Sequence, residues 1–169
     1  MRSYYSSLVL ASALAVGLGA SAPLHAANIE KTKTDGPYRV ELQVLPPEPF
    51  YTRAQVTARD LKSGMLVMGG AAPEQPGAAV DPNHHLIVHV FNRKTGQALT
   101  DARVTLKYQW VDTMGDALGT VKNVPVVVMQ AIGHGAQSTH YGNNVSLLPG
   151  TYRVMVDVNG HQTTFTVTV

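Results

Sequence analysis

Five histidines and one methionine hold most of the chemistry open to this chain. His84, His85 and His89 open one strand-like run, and His134 and His140 fall in a Gly-rich stretch that follows Met129. Neutral imidazole binds late transition metals, and a nearby thioether biases a site toward copper. The chain has no cysteine, which removes thiolate ligation, disulfides and a thiol nucleophile together. It also has no Gly-x-Ser-x-Gly elbow, no phosphate-cradling Gly loop and no His-Glu-x-x-His helix. All four glutamates, Glu30, Glu41, Glu48 and Glu74, precede the histidines, so no Glu is paired with a His at short spacing. The expectation is a binding protein and not an enzyme.

Side-chain direction follows from the elements that carry these residues. In a strand, alternate residues share a face, so Leu86, Val88 and Val90 form an apolar set while His85, Ile87, His89 and Phe91 project from the other side. His85 and His89 then point the same way, with α-carbons about 13 Å apart at roughly 3.3 Å per residue. A metal site would use one of them, or both with a partner chain. His140 is read as a turn histidine and a ligand, with Met129 as a thioether donor. His89 or His134 serves as an added or alternate ligand, and Tyr141 orients His140.

Period-two alternation recurs along the chain, with no amphipathic helical stretch of useful length. Strands are expected at Tyr38 to Val44, Leu86 to Phe91, Arg103 to Val111, Val121 to Ile132, Val145 to Leu148, Tyr152 to Val158 and Gln162 to Val169, with a short one around Met65 to Met68. The last two long runs flank Asn159-Gly160, the strongest short hairpin signal a sequence offers. Seven or so short strands at this spacing predict an all-β fold, an immunoglobulin-like antiparallel β-sandwich. The Gly, Ala and Pro-rich segment from Gly69 to Pro82 reads as a long loop running to residue 83, inside a single domain spanning residues 27–169.

The first 26 residues have the form of an export signal. Arg2 is followed by an apolar run from Leu8 to Ala22 and by Leu24-His25-Ala26, suited to cleavage after Ala26. That run is about 15 residues, short of the roughly 20 that span a bilayer. Export with no cysteine points to a periplasm. Without Arg2, the 13 Lys and Arg of the whole chain fall to 12, against 11 Asp and Glu. This near-neutral balance offers nothing to nucleic acid or a charged membrane surface.

Several of these stretches, in this order, resemble the periplasmic iron-transport proteins that bind copper and work beside an inner-membrane iron permease. The matching pieces are His85-Leu86-Ile87-Val88-His89, then Ala102 to Tyr108, then Val124-Pro125-Val126-Val127, then His140-Tyr141-Gly142-Asn143-Asn144-Val145. The resemblance covers about residues 84 to 158, and the His-Tyr-Gly-x-Asn piece is its most specific part. It implies an immunoglobulin-like sandwich, often dimeric, with His85 and His140 as copper ligands and an iron permease as partner. Where that family has a ligating Glu this chain has Ile87, and where it has a ligating Met this chain has Val126. The family's late His has no counterpart beyond His161. Met129 and His134 stand as replacements. Copper is the expected metal, with zinc and iron as alternatives, in iron or copper acquisition. The rival readings are an envelope interaction module without metal and a copper-tolerance chaperone.

Overall fold

The computed structural model describes residues 28–68 and 81–169. The expected export signal and residues 69–80 of the Gly, Ala and Pro-rich loop lie outside the described residues. In chain order the strands are β1 (Ile29–Asp35), β2 (Tyr38–Leu45), β3 (Phe50–Tyr51), β4 (Met65–Val67), β5 (His84–Asn92), β6 (Val104–Val111), β7 (Lys122–Val124), β8 (Val127–Ala131), β9 (His140–Val145), β10 (Thr151–Val158) and β11 (His161–Thr168). One short helix, α1 (Arg53–Arg59), links β3 to β4. Among the described residues no helix is long and apolar enough to cross a membrane.

The strands form two sheets packed face to face, an all-β sandwich. One has seven strands in the order β1-β2-β5-β9-β8-β4-β3, the other four in the order β11-β10-β6-β7. All pairings are antiparallel except the two-residue pairing of β3 with β4. The core between the sheets takes Val40, Leu42 and Val44 from β2, Leu86, Val88 and Val90 from β5, and Leu106 from β6. From β10 and β11 it takes Val154, Val156, Val158, Phe165 and Val167. Each fully buried side chain of this kind contributes about 1.5–3 kcal/mol. The Asn159-Gly160 turn joins β10 to β11 as expected, with both residues at positive φ (53° and 89°), the conformation of a type I′ hairpin.

The element assignments differ from the sequence reading at five elements. The single run expected from Val121 to Ile132 is two strands, because Pro125 cannot donate to a ladder. β7 pairs with β6 in the small sheet and β8 with β9 in the large one, so the chain changes sheets at that proline. The strand expected from Val145 to Leu148 ends at Val145 and lies upstream, over the His-Tyr-Gly-x-Asn motif itself. β1, β3 and α1 were not anticipated. β1 is mostly exposed and so lacks apolar alternation, and α1 buries no residue, standing on a capping box between Thr52 and Gln55.

Leu86 and Val88 face the main core, while Ile87 between them belongs to a second cluster with Val67 and Met129. The large sheet is therefore apolar on its outer face as well. Leu45, Phe50, Met65 and Val127 pack on this patch, and the segment from Pro46 to β4 supplies Phe50 and Met65 to it.

Candidate metal centre

The histidines lie on that outer face, placed by strand register. Val88 is opposite Tyr141, and carrying the register on one residue sets His89 opposite His140. His140 is in turn opposite Met129, and His85 is opposite Asn144. Three adjacent strands thus bring His89, His140 and Met129 into one row, with His85 four residues along β5. His140 approaches both β5 histidines, its ring centroid 5.8 Å from that of His85 and 5.2 Å from that of His89. The face assignment for His85 and His89 holds. Within one chain His140 on β9 is the ring that lies near each of them.

Gly142 makes the close approach feasible. A Cβ there would strike the Leu86 carbonyl oxygen and lie 2.9 Å from Ile87 Cγ2. Between His140 and Asn144 on the same face, only hydrogen lets β9 lie flat against β5.

Each of the three rings turns Nδ1 onto a carbonyl oxygen. His85 Nδ1 lies 2.8 Å from Asn144 Oδ1, His140 Nδ1 is 2.8 Å from Ser138 O, and His89 Nδ1 is 3.1 Å from Thr139 O. Carbonyl oxygens only accept, so each Nδ1 carries the proton and each Nε2 the lone pair. The 3₁₀ turn Ala136–Ser138 supplies one of these acceptors, and its C-cap residue Thr139 a second. It is held by Ser138 Oγ donating to Gly135 O and by Thr139 Oγ1 donating to Ala136 O.

His85 is fully buried and His140 is 2% exposed. Both Nε2 atoms are buried without a hydrogen-bond partner. Burial of a ring with nothing to solvate its charge lowers both imidazoles to about 4, with the neighbouring histidines adding to the effect. His89 is lowered by burial too, against its bond to Thr139 O. At neutral pH both buried rings are neutral and present a free lone pair, the form that ligates a metal.

Four expected site residues, His85, His89, His140 and Met129, share this face, and Met129 is fully buried. His134 does not join them. It is exposed in the turn after β8, because Gly133 and Gly135 at positive φ carry the chain away from the sheet. Tyr141 does not orient His140 either. As the next residue in a strand it points to the opposite face, where its hydroxyl donates to Leu99 O (2.7 Å) and accepts from Ala102 N (3.0 Å). Ser138 O does the orienting. His140 begins a buried strand and is not a turn residue. His161 lies elsewhere, against Tyr38 and 3.8 Å from Asp35. Val126 packs on the main core and Ile87 on the outer patch, so neither position contributes a donor.

The sequence reading missed Asn144, Ser138, Thr139 and Phe50, whose ring lies 5.6 Å from that of His85. Only Asn144 had a signal, as the Asn of the quoted motif. Among the described residues no three His, Cys, Asp or Glu side chains group so as to hold a metal ion between them. The donors suited to an ion are thus two orphaned imidazole nitrogens and, in the adjacent strand, one thioether. No family model, no curated protein and no solved structure matches the chain.

Proposed function

We propose that this chain binds one copper ion, in the cuprous state, through Nε2 of His85 and of His140 with the sulfur of Met129 as third donor, and handles that metal after export to the periplasm. The observation that carries the reading is the pair of buried, unpartnered Nε2 atoms. A buried polar atom left unsatisfied costs about 1–3 kcal/mol. Two of them on neighbouring rings are an expense that a ligand would offset. Low coordination with a soft donor favours cuprous copper, whereas zinc takes four ligands and hard cations take oxygen. His89 lies at the rim with its own Nε2 lone pair and suits transfer of the ion between solvent and the buried pair. The side chains contribute binding and positioning, with no bond-making step.

The test is titration of the metal-free protein with cuprous and cupric ions in competition with a chelator of known affinity. His140→Leu, which keeps bulk while removing the nitrogen, weakens cuprous binding at least tenfold, about 1.4 kcal/mol. Met129→Leu weakens cuprous binding more than cupric. A parent protein that binds neither ion at micromolar concentration overturns the proposal and leaves an envelope interaction module as the better account.

A further inference from the structure

Asn144 is 2% exposed, and its amide is committed on both sides. Its Oδ1 accepts from Glu48 N (3.2 Å) and faces His85 Nδ1 (2.8 Å), while its Nδ2 donates to Glu48 O (2.8 Å). The paired bonds to one backbone residue fix which end of the amide is oxygen. Residues 46, 47 and 49 are prolines, which have no N–H to give. The Glu48 amide is therefore the one backbone donor from Pro46 to Pro49, and it goes to Asn144. Beyond Glu48, Pro49 O accepts from Met65 N (3.0 Å), and Phe50 lies against His85 and the outer apolar patch.

From these contacts we infer that Asn144 is a positioning residue that couples closure of the strap Pro46–Tyr51 over the histidines to the tautomer of His85. The inference rests on the metal reading for its purpose but not for its geometry. With the strap closed, Glu48 holds Oδ1 toward His85, the ring proton stays on Nδ1, and the Nε2 lone pair is available to a ligand. With the strap lifted, the amide is free to rotate. A rotated amide presents Nδ2 to the ring, Nδ1 must then accept, and the proton moves to Nε2, where it blocks ligation. Closure by Phe50 and readiness of the lone pair are thus one event.

Two-bond ¹H–¹⁵N correlation spectra of the metal-free protein at neutral pH read the His85 tautomer directly. The parent shows His85 protonated at Nδ1. Asn144→Leu and Glu48→Pro, the second leaving both Asn144 and His85 in place, show mixed tautomers, and Asn144→Asp restores Nδ1 protonation because a carboxylate still accepts. Cuprous affinity falls at least tenfold in Asn144→Leu, the range seen when a partner that orients a ligating histidine is removed. Glu48→Pro keeps the inference testable if Asn144→Leu does not fold. A His85 that stays protonated at Nδ1 in both Asn144→Leu and Glu48→Pro overturns the coupling. A parent that binds no copper while the tautomers respond as stated overturns the metal reading and supports the coupling.

Discussion

Mild acid should destabilise the metal-free protein, and the cause is the buried pair His85 and His140. Both imidazoles are lowered to about 4 in the folded chain from 6.5. Because the folded value lies below the unfolded one, the unfolded chain takes up protons first. Stability is therefore full above about pH 6.5 and drains as the pH falls toward about 4. At about pH 5 the loss is about 2 kcal/mol per histidine, and the two together approach the lower end of a domain's total stability of about 5–15 kcal/mol. With a urea slope of about 2 kcal/mol per molar, the unfolding midpoint of chelator-treated protein drops by about 2 M between about pH 7.5 and 5. Equilibrium urea unfolding followed by circular dichroism measures this. The double variant His85→Leu/His140→Leu loses most of the pH slope. A parent midpoint that does not move between the two pH values, or a double variant as pH-sensitive as the parent, refutes the argument from buried neutral rings.

Gly142→Ala forces a Cβ into the Leu86 carbonyl and Ile87; it should destabilise the fold by about 1–3 kcal/mol, read as a lower thermal midpoint. Tyr141→Phe removes a hydroxyl that bonds Leu99 O and Ala102 N on the core face; it should cost about 1–3 kcal/mol of stability while leaving cuprous affinity unchanged in the same chelator competition. A drop in affinity without a drop in stability would restore Tyr141 to the site.

Alternation at period two is a local property, and it carried much of the fold. β2, β6, β10 and β11 and the Asn159-Gly160 turn were legible because each of those strands alternates buried and more exposed residues, and β5 because it is an apolar run buried on both faces; the side-chain period of a strand is two wherever it sits. The sharing of one face by His85 and His89 was legible for the same reason. Tyr141 shows how the same rule corrects a reading, since a neighbour in sequence is on the opposite face once the segment is a strand. What the sequence could not contain is the pairing between strands. That His140 falls between His89 and Met129 depends on β9 lying between β5 and β8 in register, so that sheet pairing brings together residues 51 and 11 positions apart in the chain. The Phe50 ring that lies against His85 belongs to a segment that Asn144 ties down through Glu48, 96 residues away in the chain. Composition offered six histidines after residue 26 as candidate ligands with nothing to rank them; the fold buries the Nε2 atoms of His85 and His140 without a hydrogen-bond partner, and the proposal rests on those two for that reason.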